Sequence, residues 1–154
     1  MPEVPDAVRR ELVLPVPPER VWSALTQAPA LSQWFGTRAT VDLRVGGTIS
    51  FVWDSTQGER FTNGGTIVAL EPPRRFAFRW QPHVAPEHAA RAAGITTLVE
   101  FTLEAHPDGT RLRLVESGFS QLPPDLRGTA MERNATGWES ELAELAAYCA
   151  RGAR

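Results

Sequence analysis

The sequence predicts an α+β domain in which a curved, seven-stranded antiparallel sheet wraps around one long C-terminal helix. Three observations carry this expectation. From Ala39 to Phe119 the apolar residues alternate with polar ones, and turn residues recur every eight to twelve positions, as in consecutive antiparallel strands. After Phe119 the repeat changes to 3.6. Ahead of both lie one short strand and two short helical segments. A chain of 154 residues holds one core of ordinary size, so residues 1–154 are read as a single domain with its core over about 8–150.

Glu11 to Val16, "ELVLPV", reads as the first strand, stopped by Pro15, Pro17 and Pro18, which remove ladder donors. "PPERVWSALT" then places prolines and Glu19 in a first helical turn, with Val21, Ala24 and Leu25 at helical spacing. "ALSQWF", Ala30 to Phe35, supplies one or two further turns packed by Leu31 and Trp34. In the meander, "TISFVWD" puts Ile49, Phe51 and Trp53 on one face, and "RFAFRW" does the same with Phe76, Phe78 and Trp80. Asn63, Gly64 and Gly65 interrupt a strand-like run and mark a bulge or a bend that curls the sheet. A tight turn at Gly46 and Gly47 would bury Arg44 opposite Ile49, so a longer or bulged connection is expected there. The final helix starts at "PPD", Pro123 to Asp125, and runs towards Ala150. Met131, Asn134 (or Ala135), Trp138, Leu142, Leu145 and Cys149 trace its apolar stripe, which must bury itself against the concave face of the sheet.

The last hairpin sets a register. A two-residue turn at Asp108 and Gly109 pairs Glu104 with Arg113, Leu103 with Leu114 and Phe101 with Glu116. That count puts Glu116 on the apolar face with Val99, Phe101, Leu112 and Leu114. A carboxylate there costs several kcal/mol unless it is paired, protonated or wet. Three roles follow for it: meeting an arginine near the sheet end, anchoring a ligand hydroxyl or amine, or transferring protons.

Composition removes several function classes. Apolar residues make up 42% and charged residues 22%, which fits neither a disordered nor a membrane-spanning chain. A net charge of -2 gives no electrostatic footprint for nucleic acid or anionic lipid. "MPEVPDAVRR" has neither the basic start nor the apolar run of a secretory signal, so the cytoplasm is the expected location. Cys149 stands alone and is read as a small core residue. His83 and His88 lie in a polar loop without metal-ligand spacing and His106 precedes a turn, so no metal or cofactor is expected. "VGGT" and "NGG" open no helix and are not phosphate loops, and "GFS" lacks the setting of a nucleophile elbow.

Six segments in order carry a family resemblance: "PPERVWSALT", "LSQWF", "VDLRVGGTISF", "IVALEPPRRFAFRW", "TLVEFTLEAHPDGTRLRLVESGF" and the "GW" with leucines of "GWESELAEL". The chain resembles the SRPBCC (START-like, helix-grip) superfamily, and within it the bacterial homologues of the activator of the heat-shock protein 90 ATPase. The resemblance implies a cavity between sheet and helix. Relatives include hydrophobic-ligand carriers, polyketide cyclases and co-chaperone domains, so fold alone does not give function. One departure stands out: Gln81 to Ile95, "QPHVAPEHAARAAGI", joins strands that relatives connect more tightly, and it reads as a short helix that could serve as a lid.

The expected function is binding of a small hydrophobic or aromatic molecule between sheet and C-terminal helix. The candidate lining is Trp34, Phe51, Trp53, Phe61, Phe78, Trp80, Phe101, Glu116, Phe119, Met131, Asn134 and Trp138. A cyclase or dehydratase using Glu116 for proton transfer is the enzymatic alternative, and a binder is favoured over it. A chaperone-interacting stress-response module is the third reading, and the eukaryotic type's additional N-terminal domain finds no room in this chain. The expected partner is one small hydrophobic molecule, with neither nucleic acid nor membrane, and with homodimerisation left open.

Overall fold

A computed structural model describes residues 6–54, 58 and 60–152. The first five residues, part of the stretch read above for a leader, lie outside them. The elements follow the expected order: β1 (Ala7–Leu14), α1 (Pro18–Thr26), α2 (Ala28–Trp34), β2 (Arg38–Val41), β3 (Thr48–Asp54), β4 (Arg60–Glu71), β5 (Arg75–Trp80), β6 (Thr97–His106), β7 (Gly109–Ser117) and α3 (Pro124–Gly152). Short 3₁₀ turns at Pro86–Ala92 and Phe119–Gln121 precede β6 and α3 respectively. The seven strands form one sheet in the order β1-β7-β6-β5-β4-β3-β2, with every pairing antiparallel.

The first strand begins earlier than the proline pattern implies. β1 covers Ala7–Leu14 and not Glu11–Val16, because it pairs along the whole of β7 from Ala7–Ser117 to Leu14–Thr110. On its outer side Glu11 meets Arg111 (3.0 Å) and Arg113 (3.5 Å).

The hairpin register differs from the count by two residues. His106 pairs with Gly109, so the turn is Pro107–Asp108, and Glu104 faces Arg111, Leu103 faces Leu112 and Val99 faces Glu116. Gly109 is already in the strand, at φ 138°, and a Cβ there would lie 2.0 Å from the Leu14 carbonyl oxygen. It is a glycine because β1 closes against it, with proline leading the turn. The error is even, so every side chain keeps its face. Glu116 is inward and fully buried.

The glycines of β4 do not form the bulge. Gly64 and Gly65 pair regularly with Ser50 and Ile49, and the register shift against β5 falls between Ile67 and Ala69. What Gly65 permits is close approach: a Cβ there would lie 1.6 Å from the Arg79 carbonyl oxygen. The connection at Gly46 and Gly47 is long, as expected, spanning residues 42–47 between β2 and β3.

α3 lays its stripe on the concave face. Leu126, Ala130, Asn134, Trp138, Leu142, Leu145 and Cys149 are buried along it. The stripe therefore passes through Ala130 where Met131 was expected, and Asn134 takes the inward position over Ala135, which is partly buried. Trp138 meets Phe101 of the sheet edge to face at 5.8 Å. α1 and α2 close one end, tied by the Trp34 indole N–H donating to the Ala24 carbonyl at 2.8 Å.

Candidate functional site

The parity that turns Glu116 inward on β7 also brings Trp80 on β5 and Thr97 on β6 to the same patch, and α3 lowers Asn134 and Trp138 onto it. Four neutral side chains then surround one carboxylate. Trp80 Nε1 donates to Oε2 (2.9 Å), Thr97 Oγ1 to Oε2 (2.5 Å), and Trp138 Nε1 to Oε1 (2.8 Å). Asn134 Nδ2 donates to both oxygens at 2.8 Å. A carboxylate offers about four lone-pair positions, so five contacts leave none open. Among the described residues no arginine is a partner; a ring of dipoles stands where an ion pair was one of the three roles open to Glu116. These bonds carry the desolvation cost of the carboxylate, and they also fix two indole rings in place.

Beside this cluster, between α3 and the concave face, lies a cavity of about 220 Å³. Phe35, Trp53, Phe61, Trp80 and Trp138 give it aromatic walls, and Asn63, His83, Arg133, Asn134, Gly137 and Glu141 complete the lining. Phe35, Trp80 and Trp138 are mutually near-parallel, with centroids 5.4–6.1 Å apart. Trp53 stands edge-on to Phe35 at 5.2 Å and tilts over Phe61 at 5.5 Å.

Of the twelve candidate lining residues, five border this cavity: Trp53, Phe61, Trp80, Asn134 and Trp138. Trp34, Phe51, Phe78 and Phe101 instead pack around a void of only about 10 Å³, too little to exceed a single water, and form solid core. Phe119 is completely buried in the turn before α3 and borders no part of the cavity. Met131 lies on the other flank of α3, in a groove with Ala7–Arg10 of β1. Glu116 lies behind the wall, covered by the residues it orients.

Phe35, Asn63, His83, Arg133, Gly137 and Glu141 were not read as site residues from sequence. For three of them a signal was there: Arg133, Gly137 and Glu141 repeat at intervals of four, one helical row beside Asn134 and Trp138. His83 is exposed, as the loop reading expected, and its ring stacks on Phe61 at 4.8 Å. Partial desolvation of that ring, with the Arg133 charge nearby, holds its imidazole below the ordinary value. The segment that supplies it forms a 3₁₀ turn at Pro86–Ala92, buries Ala92, and is tied to α3 by Arg91 gripping both oxygens of Asp125 at 2.7 and 2.8 Å.

Glu141 is the polar group with most to offer. Its Oε1 accepts one long bond from Trp53 Nε1 at 3.3 Å. Burial, helped by Glu144 one turn on, pushes its carboxyl up to about 7. Among the described residues no group of His, Cys, Asp and Glu is arranged to hold a metal ion.

The model for "Activator of Hsp90 ATPase homolog 1-like protein" matches residues 15–150. The chain belongs to that family. Solved structures superpose over nearly the whole domain. MLL2253 from Mesorhizobium loti shares 27% identity at a TM-score of 0.73, covering 94% of this chain and 97% of that one. CV1439 from Chromobacterium violaceum shares 27% identity at 0.73, covering 93% and 96%. An AHSA1-like protein from Aeromonas hydrophila, at 20% identity and 0.74 over 96% and 95%, shares the fold. None of the curated proteins compared matches the chain by sequence. The fold of this family, a seven-stranded sheet gripping a long helix, is the one the sequence pattern predicted.

Proposed function

We propose that the protein binds one small, flat, largely apolar molecule in the cavity between α3 and the sheet. The observation that carries this reading is a space of about 220 Å³ walled by five aromatic rings, two of them locked by Glu116 before any ligand arrives. Rings already held in position lose little freedom on binding, which favours affinity. Volume limits the occupant. A cavity of about 150 Å³ accommodates benzene, and pockets for drug-sized ligands begin at about 300 Å³. One or two rings therefore fit.

Proton transfer by Glu116 has no support in this arrangement, since its acceptor positions are all taken by protein donors. Chaperone contact, which the family's description brings to mind, calls for an exposed apolar patch. Among the described residues the large exposed apolar side chains are Val13, Leu43, Val45, Phe61 and Val68, and Phe61 belongs to the cavity rim. No described helix is long and apolar enough to cross a membrane.

Titration with a naphthalene-type fluorescent probe tests the reading. Probe binding should saturate at one per chain and quench tryptophan emission, because three tryptophans line the cavity. Native mass spectrometry of protein taken from its own cell extract should retain the natural occupant. Absence of saturable quenching, together with a filled interior in a crystal structure, would remove the proposal.

A further inference from the structure

All three tryptophans of the cavity spend their indole N–H on a carboxylate. Trp80 and Trp138 donate to Glu116, and Trp53 donates to Glu141. The cavity is thus left with π surfaces and no indole donor. A ring whose N–H is bonded to an anion gains electron density, and the face of an indole is already the best aromatic partner for a cation.

The charges around the cavity point the same way. Glu116 is balanced by neutral dipoles, so its field is not cancelled by a neighbouring guanidinium. Glu141 is in the wall itself, makes no ion pair among the described residues, and keeps acceptor positions beyond its one 3.3 Å bond. The basic groups are Arg133, an exposed side chain at the edge, and His83, whose imidazole is held below its ordinary value by desolvation and the Arg133 charge.

We infer that the cavity selects a small organic ammonium ion, carrying an aromatic or compact apolar group, with Glu141 as its anionic anchor and tryptophan faces as its walls. This deepens the binding reading above and rests on it. An ammonium N–H supplies what Glu141 lacks, and its charge is stabilised by π faces that offer a neutral donor less. Preference should follow the ionisation of Glu141. Glu144 on α3 is the charged group that acts on that carboxyl, and Arg133 on α3 and His83 from the segment before β6 are the other titratable groups of the lining; β3, β4, β5 and the end of α2 present Trp53, Phe61, Asn63, Trp80 and Phe35, none of which titrates.

The test uses three probes of similar shape, 2-phenylethylammonium, 2-phenylethanol and phenylacetate, titrated calorimetrically into the intact protein and into Glu141→Gln and Arg133→Gln. At pH 8 the ammonium should bind about tenfold or more tighter than the alcohol, and phenylacetate weakest. That margin should shrink as pH falls from 8 to 6. Glu141→Gln, which keeps an acceptor for Trp53, should bring the ammonium to the alcohol's affinity measured in the same variant. Arg133→Gln should tighten the ammonium. Equal affinities for ammonium and alcohol, phenylacetate binding best, or a margin that survives Glu141→Gln would each overturn the inference while the alcohol still reports a working cavity. Failure of all three probes would overturn the inference and the binding reading together.

Discussion

Asn134 Nδ2 lies 2.8 Å from both carboxylate oxygens of Glu116. One amide from the long helix thereby closes a carboxylate that the sheet turns inward, and the two layers are joined at that point. Glu116→Gln tests it. A glutamine amide there would direct N–H groups at an indole N–H or at Asn134. A loss of roughly 2–3 kcal/mol is expected in urea unfolding, with unchanged shape of the far-ultraviolet dichroism. A loss under about 0.5 kcal/mol would mean the donor ring is not holding the layers together.

Glu141 makes stability depend on pH in the opposite sense to a salt-bridged carboxylate. Its carboxyl ionises at about 7 in the fold, against 4.5 ordinarily. As pH rises the unfolded chain loses this proton first, so the contribution of the group is fully present below about 4.5 and is lost as pH rises through 7. Glu141→Gln should stabilise the protein above pH 7 by about 1 kcal/mol, after allowance for solvent screening of a partly exposed group. Below pH 4.5 the two proteins should unfold alike. Chemical denaturation at pH 4.5, 6 and 8 measures it.

Two glycines with opposite surroundings should respond oppositely to alanine. Gly137 is in the middle of α3, lines the cavity, and has nothing within 4 Å of an added Cβ. Gly137→Ala should gain about 0.5–1 kcal/mol from helix propensity. Gly137→Leu should keep the fold and abolish probe binding by filling the space. Gly65→Ala would drive a Cβ to 1.6 Å from backbone that cannot yield, and a loss of roughly 3 kcal/mol or more is expected. Thermal unfolding of the three variants and one probe titration decide both points.

Cys149 is buried on the helix stripe, and burial pushes its thiol up to about 11. Native protein should resist iodoacetamide at pH 8 over hours, with full modification once unfolded. Rapid alkylation of the folded chain would show that the end of α3 opens readily.

What the sequence determined by itself is whatever repeats with a short period. Alternation along β3, β5, β6 and β7 decided which side chains face inward, and it survived a hairpin register off by two because the period of a strand is two. Proline, glycine and the 3.6 repeat placed the helices and the order of elements. What only the tertiary structure decided is which inward residues meet. Three successive strands and one helix together give Glu116 its four partners, and no local pattern records that Trp80, Thr97, Asn134 and Trp138 converge. The cavity has the same origin. Twelve inward or near-inward residues looked equivalent in sequence, yet the curvature of the sheet and the tilt of α3 pack Phe51, Phe78 and Phe101 solid and leave an aromatic-walled space beside them, bordered by Gly137, Trp53 and His83. A gap is a property of surfaces that fail to touch, and that is settled by the positions of whole elements, not by the residues of any one of them.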